Sequence, residues 1–253
     1  REDKMKRWRY GVLLLVLLIF SGCTTTKHGA ESEEKVDYVI GVEKENAPYY
    51  FTDEKGDAAG IYVNLLKLLS EKEDFHYRLE EMTANDFLSG VYGEEPLLFL
   101  GAVDTDCAEQ TVGSEVLFQS GLYVLKAKGS GLTRMEDLRD VTVVTRAKTG
   151  EEIFARYLAA KYSGDVLTFR GLETAVGDFS TGYSKALVMD SRSAIWQAER
   201  NPQMKLWKES EKYVNSHRFI MKEEGNIPEK IARGITAIKE DGSLESLLQT
   251  VYP

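Results

Sequence analysis

The sequence predicts an α/β protein built as two lobes, each with a mostly parallel sheet flanked by helices. Short β-rich apolar runs alternate along the chain with segments whose apolar residues repeat at helical spacing. Alternation of this kind is typical of a parallel sheet that is covered on both faces. The many strand–helix units that follow residue 36 fit two small lobes.

The first predicted strand lies at 37–42, in the run DYVIGV, and the first helix follows in GIYVNLLKLLSEK. That helix is predicted because its apolar residues fall on one face, namely Ile61, Leu65, Leu68 and Leu69. Further strands are predicted from β-rich runs at 76–80, 97–102, 121–126, 141–145, 166–169, 186–189, 205–207 and 218–221. Further helices are predicted at 85–92, 151–162, 172–179, 193–200, 228–240 and 244–251.

The N-terminal segment resembles a bacterial lipoprotein signal peptide at residues 1–22. Basic residues follow a plausible start at Met5, and the apolar run VLLLVLLIF is shorter than the roughly 20 residues that span a bilayer. FSGC then resembles a lipobox with Cys23 as the lipidated residue, although Phe20 stands where leucine is usual. An uncut signal anchor, in which Cys23 has no role, is the alternative interpretation. Residues 23–36 are polar and predict a flexible tether.

The charge and the motif content exclude several classes of function. The net charge is −9, and it becomes −12 without residues 1–22, which carry five basic and two acidic residues. Nucleic acid is therefore an unsuitable partner, because phosphate binding needs a basic patch. None of His28, His76 and His217 stands at metal-ligand spacing with a cysteine or another histidine. Since P-loop, GxSxG and GxGxxG motifs are also absent, we expect no cofactor and no metal.

Three longer stretches together resemble a known family, the extracytoplasmic solute-binding proteins of family 3, which feed polar amino-acid ABC transporters. The stretches are VIGVEKENAPYYFTDEKGDAAGIYVNLLKLLSEK, LVMDSRSAIWQAERNPQMKL and EKIARGITAIKEDGSLESLLQTVY, and their order and spacing carry the resemblance. It implies a two-lobed type 2 periplasmic-binding-protein fold, with lobe 1 at 37–125 plus 217–253 and lobe 2 at 126–216. The ligand is then expected in a central cleft that closes by hinge motion.

In lobe 1 the resemblance implies an aromatic ligand cover in the NAPYYF loop, with Tyr49 as the matching residue and Tyr50 as the other candidate. Simple packing of both rings is the competing interpretation. Relatives that bind α-amino acids grip the ligand carboxylate with an arginine in a segment that here reads AVDTDCAEQTV. Residues 79–125 contain no Lys or Arg and nine acidic residues, so the usual clamp is missing. Asp104 or Asp106 is expected to face the cleft instead, with Thr105 nearby.

In lobe 2 the resemblance implies ligand contacts at two strand ends. VVTRAKTGEEIF follows a strand and opens a helix, and Thr149 and Gly150 match the family's carboxylate site. Arg146 and Lys148 are candidate cations beside that site, while a capped helix with solvent-facing basic residues is the alternative. Asp190 follows the apolar run ALVM and matches the aspartate that holds the ligand's ammonium group. The alternative for Asp190 is an N-cap of the next helix.

Together these features predict a monomeric solute-binding protein, anchored by its N-terminal lipid to the outer face of the bacterial cytoplasmic membrane. Its partners are expected to be a small ligand with an amino group (an amino acid or a derivative) and the membrane permease of an ABC importer. The missing arginine leaves a ligand-sensing module of the same fold open as an alternative. A dehydratase-like enzyme is less favoured, because no pair of acid–base residues stands out. We therefore expect a binding protein and not an enzyme.

Overall fold

A computed structural model describes residues 36–90, 98–104, 111–222 and 226–250. The predicted signal peptide at 1–22 and nearly all of the predicted tether at 23–36, with Cys23, lie outside this range, as do Thr105 and Asp106. Residues from Val36 onward form one compact unit. No helix of the described part of the chain has the length and apolar character needed to cross a membrane.

The strands are, in chain order, β1 (Tyr38–Val42), β2 (Phe51–Thr52), β3 (Ala58–Ala59), β4 (Tyr77–Glu81), β5 (Leu98–Gly101), β6 (Thr111–Gly113), β7 (Phe118–Ala127), β8 (Thr142–Arg146), β9 (Asp165–Phe169), β10 (Ala186–Asp190) and β11 (Met204–Lys222). The helices are α1 (Ile61–Glu73), α2 (Ala84–Ser89), α3 (Gly150–Tyr162), α4 (Leu172–Ser180), α5 (Ser191–Arg200), α6 (Glu229–Glu240) and α7 (Ser243–Thr250), with a short 3-10 helix at Met135–Leu138. Each predicted helix therefore overlaps an observed one.

The main sheet has the order β4-β1-β5-β11-β7-β10-β8-β9, with β6 also paired to β11, and β2 and β3 form a separate pair. On the predicted division, β4, β1, β5 and β6 fall in lobe 1 (37–125 with 217–253), and β10, β8 and β9 fall in lobe 2 (126–216). Within each lobe the pairs β1–β4, β1–β5, β10–β8 and β8–β9 are parallel. The long strands β7 and β11 run antiparallel to each other and to their neighbours, and they connect the lobes.

The strands predicted at 205–207 and 218–221 are in fact parts of one strand, β11, so the prediction of two strands was wrong. The charged run between them suggested a loop, but the backbone keeps pairing with β7 through a bulge between Glu209 and Val214. Inside the bulge, Tyr213 N donates a 2.8 Å hydrogen bond to Ser210 Oγ. The charged side chains of this stretch are exposed, so the ladder forms without burying a charge.

Each lobe is packed around its own hydrophobic core. In lobe 1, α1 and α6 cover β1 and β5, and Leu65 and Ile235 are fully buried. In lobe 2, separate clusters cover the two faces of the sheet, one with Phe154 of α3 and the other with Phe179 of α4. Helices on both faces explain why the parallel strands read as continuous apolar runs.

The buried face of α1 differs in one respect from the predicted face. Ile61, Leu65 and Leu69 are fully buried as expected, but Leu68 is only partly buried and Leu66 is fully buried in its place. The helix shares one hydrophobic cluster with β1, β5 and α6, so its apolar stripe is wider than the single row that the spacing suggested.

Candidate functional site

The candidate site lies between the lobes, at the carboxyl ends of parallel strands. Glu43 directly follows β1 of lobe 1, while Arg146 and Asp190 end β8 and β10 of lobe 2. Ligand sites in open α/β sheets lie outside such strand ends. All three side chains are buried, and hydrogen bonds link residues of the two lobes around them. The lobes are therefore closed on each other in this structure.

Tyr49 brings the first loop of lobe 1 onto Asp190. Its hydroxyl donates a 2.5 Å hydrogen bond to Asp190 Oδ1, and both residues are fully buried. The loop packs on Gly60, whose φ of 117° favours glycine and whose added Cβ would lie 2.5 Å from Tyr49 O. Tyr62 N also donates to Tyr49 O at 2.8 Å, so the start of α1 fixes the loop from the same side.

Asp190 accepts hydrogen bonds from several directions. Besides Tyr49, the hydroxyl of Ser120 and the side-chain amide of Asn215 donate to it, the latter at 3.1 Å. A backbone N–H of α5 donates to Oδ1 at 3.0 Å, so Asp190 is also the N-cap of that helix. Burial opposes ionisation, yet His217 and the donated hydroxyl hydrogen bonds lower the pKa of Asp190 to about 2. The carboxylate is therefore charged at neutral pH.

His217 lies beside Asp190, at the point where β7 and β11 cross from one lobe to the other. Its Nδ1 and Nε2 atoms are each 2.7 Å from a hydroxyl oxygen, of Tyr62 and Ser120 respectively. Its ring stacks on Phe118, with centroids 4.3 Å apart. Burial lowers the pKa of His217 even though Asp190 Oδ2 is 3.5 Å from Nε2. The imidazole is therefore neutral at neutral pH.

Arg146 forms a second buried cluster whose partners come from both lobes. Its Nε and Nη2 atoms donate to the two carboxylate oxygens of Glu151 at 2.9 and 2.5 Å. Its Nη1 atom donates to Glu43 Oε2 at 2.5 Å and lies 3.5 Å from Asn46 Oδ1. Burial disfavours the charge on Arg146, but the two carboxylates raise its pKa well above the usual value. Arg146 is therefore not one of the solvent-facing basic residues that the alternative interpretation expected.

The turn from β8 into α3 is packed tightly against its surroundings. Thr149 is buried, and its Oγ1 atom donates to Arg146 O at 3.1 Å. Gly150 allows β11 to approach the helix, because an added Cβ there would lie 2.4 Å from Val214 O. The first turn of α3 thus lies against the crossing strand β11.

The remaining predicted residues lie at the edge of the site or outside it. Asp104 N donates to Lys148 O at 2.9 Å, which is a backbone contact between lobe 1 and lobe 2. Tyr50 donates its hydroxyl to Glu81 Oε1 at 2.9 Å, within lobe 1. Thr105 and Cys23 lie outside the described residues.

The structure brings together five of the predicted residues: Tyr49, Arg146, Thr149, Gly150 and Asp190. It adds five that the sequence analysis missed: Glu43, Ser120, Glu151, Asn215 and His217. Glu43 carries the same signal as Asp190, a carboxylate directly after a buried strand, and should have been found. Glu151 lies in the first turn of α3, where an acidic residue is common at the start of any helix. Ser120, Asn215 and His217 lie within long strands, where no local signal marks them.

The buried acids and bases of the site are unequal in number. Glu43, Glu151 and Asp190 are almost completely buried, and Arg146 is their one buried arginine in the described part of the chain. His217 adds no positive charge while it is neutral. Burial raises the pKa of Glu43, as expected where positive charge is short. The site is electrostatically suited to a cation.

A cavity of about 390 Å³ opens at the rim of the cleft, between the loop after β1 and the helices α4 and α5 of lobe 2. It is lined by Lys44, Glu45, Ala47, Leu172, Glu173, Val176, Trp196 and Gln197. Within the described ranges, no three His, Cys, Asp or Glu side chains are grouped so as to hold a metal ion.

Known proteins of similar sequence and structure were identified. The arginine-binding extracellular protein ArtP of Bacillus subtilis is 19% identical over 251 residues, which is 96% of each chain. An ancestral arginine-binding protein bound to arginine has a TM-score of 0.73 and 20% identity, and the match covers 85% of this chain and 98% of that one. The substrate-binding protein of an amino acid ABC transporter has a TM-score of 0.72 and 15% identity, with coverages of 83% and 96%. No protein-family model matches the chain.

These similarities confirm two predictions. The chain has the two-lobed α/β fold of type 2 periplasmic-binding proteins, and it resembles the extracytoplasmic solute-binding proteins of family 3. The proteins named above are binding proteins, which agrees with the expectation that this chain is one too.

Proposed function

We propose that this chain is an extracytoplasmic solute-binding protein that delivers a small amino-group-bearing ligand, an amino acid or a derivative, to the permease of an ABC importer. Similarity to an arginine-binding extracellular protein and to the substrate-binding protein of an amino acid ABC transporter supports this class. The observation that carries the proposal is the buried hydrogen bond between Tyr49 and Asp190, because it joins a charged carboxylate of one lobe to a replaceable donor of the other.

Asp190 is the ligand-binding carboxylate in this proposal. When the lobes open, the hydroxyl of Tyr49 is withdrawn from Oδ1 because the two residues belong to different lobes. A carboxylate with a pKa of about 2 then remains charged and lacks one of its donors. An ammonium group replaces that donor, and it also supplies the positive charge that the buried acids of the site lack.

We further propose that the pocket differs from that of relatives that clamp a ligand carboxylate with an arginine of lobe 1. Residues 79–125 contain no Lys or Arg. Arg146 has donors engaged by Glu43 and Glu151, so its charge is already neutralised. A ligand without a free carboxylate, such as a polyamine or a modified amino acid, suits this arrangement.

The lobes in this proposal are 37–125 with 217–253 and 126–216, and β7 and β11 form the hinge between them. Residues Leu122 to Lys126 of β7 already pair with β10 of lobe 2. That pairing supports a first crossing near Gly121, a few residues earlier than the proposed boundary. Hinge closure of this kind is how two-lobed proteins enclose a ligand.

Lipid anchoring at Cys23 is proposed from the sequence pattern alone, because the apolar core and FSGC match a lipoprotein signal. An acyl anchor keeps the receptor beside its permease. Intact-mass measurement of membrane-extracted protein should show loss of residues 1–22 and an added lipid mass, both absent from a Cys23→Ser variant. An unmodified full-length mass would contradict the anchor.

A ligand panel tests the binding function. Amino acids, polyamines, oligopeptides and small acids are each added to the purified protein, and the melting temperature is recorded, since a ligand that binds only the native state raises it. We expect an amine to raise it, and Asp190→Asn to abolish the shift. Asp165→Asn, an exposed acid of the same lobe, is the matched control and should keep it. A shift that survives Asp190→Asn places the ligand elsewhere.

A ligand-sensing module remains the second candidate, and the lack of Lys and Arg in residues 79–125 favours it. The usual carboxylate clamp of amino-acid transport receptors is missing there, as it would be in a module that no longer serves transport. ATPase measurements on reconstituted permease separate the two functions. Stimulation by the liganded protein supports import, and binding without stimulation supports sensing.

A further inference from the structure

The guanidinium group of Arg146 is enclosed as a bound ligand would be. Two of its nitrogens form a bidentate pair with Glu151, at 2.9 and 2.5 Å, and the third nitrogen donates to Glu43 at 2.5 Å. Asn46 Oδ1 lies 3.5 Å from the same third nitrogen. The planar fork of a guanidinium fits such a set of oxygens better than an ammonium point charge does.

The oxygens around Arg146 come from both lobes. Glu43 and Asn46 belong to the loop after β1 in lobe 1, and Glu151 belongs to α3 in lobe 2. Glu43 is also held from the far side, because Leu172 N of lobe 2 donates to its Oε1 atom at 2.9 Å. This ion pair therefore exists in full only when the lobes are closed.

The carboxylate of Glu151 is fixed independently of Arg146. Asp190 N donates to Glu151 Oε1 at 2.9 Å, and Asn215 Nδ2 donates to the same oxygen at 3.1 Å. Both donors lie on the frame of lobe 2 and the crossing strand, so the acceptor geometry does not depend on the arginine side chain. The site is thus preformed for a guanidinium group on its lobe 2 side.

We propose that Arg146 is a tethered ligand: its guanidinium group occupies a guanidinium-binding site made by Glu43, Asn46 and Glu151 and holds the lobes closed when no solute is bound. The inference rests on the proposed function in one respect, that the space between the lobes is the ligand site. A solute that enters this space competes with the chain's own side chain. Removal of that side chain converts the space into a receptor for free guanidinium compounds.

The test is chemical complementation of an Arg146→Ala variant with methylguanidinium. We expect the melting temperature of Arg146→Ala to rise in a saturable way with methylguanidinium concentration, since the ion binds only the folded state. The wild type should show no such rise, because the site is already filled. The matched control is Arg156→Ala, which removes an exposed arginine that pairs with Glu152 on the same helix. Its response should equal that of the wild type.

A double variant that also changes Glu43 tests whether methylguanidinium binds at the site that Arg146 occupies. In the double variant with Arg146→Ala and Glu43→Gln, the rise should need a higher methylguanidinium concentration, because the lobe 1 carboxylate is lost. An equal response of Arg146→Ala and Arg156→Ala overturns the tethered ligand, and so does a response that is unchanged by the loss of Glu43.

Small-angle X-ray scattering keeps the inference testable where Arg146→Ala does not fold. The conservative variant Arg146→Lys retains a charge but lacks the bidentate fork, so it should have a larger radius of gyration than the wild type without solute. Equal radii overturn the inference. The outcome is separate from that of the ligand panel: loss of the amine response in Asp190→Asn concerns the proposed function, whereas the Arg146 variants concern only the tethered ligand.

Discussion

The hydroxyl of Tyr49 lies 2.5 Å from Asp190 Oδ1, and these two residues belong to opposite lobes. Tyr50, the next residue in the chain, donates its hydroxyl to Glu81 at 2.9 Å within lobe 1. The two adjacent tyrosines therefore differ in their contacts. Tyr49 forms a hydrogen bond between the lobes, and Tyr50 forms one within lobe 1.

Replacing Tyr49 by phenylalanine removes one hydrogen bond to a buried charge and leaves the ring in place. We expect the free energy of unfolding to fall by about 1.5–3 kcal/mol, the usual range for hydrogen bonds to charged groups. Tyr50→Phe is the matched control and should cost less than about 1 kcal/mol, because it removes a bond that is only partly buried. Urea denaturation followed by fluorescence measures both. Equal losses would show that the contact between lobes has no special weight.

The neighbouring acids Glu151 and Glu152 form a second matched pair. The carboxylate oxygens of Glu151 accept only from donors, namely Arg146, Asp190 N and Asn215. In Glu151→Gln the amide NH2 group therefore faces another donor. Arg146 also loses one of its two negatively charged partners. Removing one partner of a buried ion pair costs about 3–5 kcal/mol. Glu152→Gln should cost no more than about 1 kcal/mol, because its ion-pair partner is exposed. A stability of Glu151→Gln equal to that of Glu152→Gln would contradict the buried network.

Gly150 and Gly177 should respond to alanine in opposite directions. At Gly150 the added Cβ would lie 2.4 Å from Val214 O, so the first turn of α3 has to move away from β11. We expect Gly150→Ala to destabilise the protein by about 1–3 kcal/mol, as overpacking does. At Gly177 in α4 an added Cβ meets nothing within 4 Å, and alanine should stabilise the protein by about 0.5–1 kcal/mol. Thermal unfolding of both variants checks the sign of each change.

The buried His217 makes stability depend on pH. Burial lowers the pKa of His217 from the usual 6.5. Between pH 6.5 and the lower pKa of the folded state, the unfolded chain therefore binds a proton that the folded chain does not. The contribution of His217 to the free energy of unfolding is therefore complete above pH 6.5. It is lost progressively as the pH falls from 6.5 to the lower pKa of the folded state. Glu43, whose pKa burial raises from 4.5, gives a slope of the opposite sign just above that value, so a comparison with a variant is needed.

The comparison is between the wild type and His217→Gln, with urea denaturation from about pH 8 down to about pH 5. We expect the free energy of unfolding of the wild type to fall more steeply with acid than that of the variant. His76→Gln, which replaces a histidine whose side chain is 60% exposed, is measured in parallel as the control for a loss of imidazole at the surface. Parallel curves for His217→Gln and the wild type would contradict a neutral buried imidazole.

The amino-acid sequence by itself determined the α/β class, the order of the α-helices and the position of Asp190 at the end of a buried strand. These rest on local properties: apolar periodicity marks helices, β-rich runs mark strands, and a carboxylate after a buried strand marks a site. The same property marks Glu43, so two of the three buried acids of the site, Glu43 and Asp190, were within reach of sequence reasoning. The position of Tyr49 followed from its loop in the resemblance.

Only the tertiary structure decided the partners of these residues. Arg146 and Glu43 are 103 positions apart in the chain, and they meet because the lobes close on each other. Read locally, Arg146 was a cation available to a ligand, since nothing in its own segment shows an acid arriving from the other lobe. The continuity of β11 was also decided by tertiary structure. Its backbone pairs with β7 along a charged segment whose local sequence is typical of a loop. Both depend on the free energy of long-range contacts, which no local pattern of residues records.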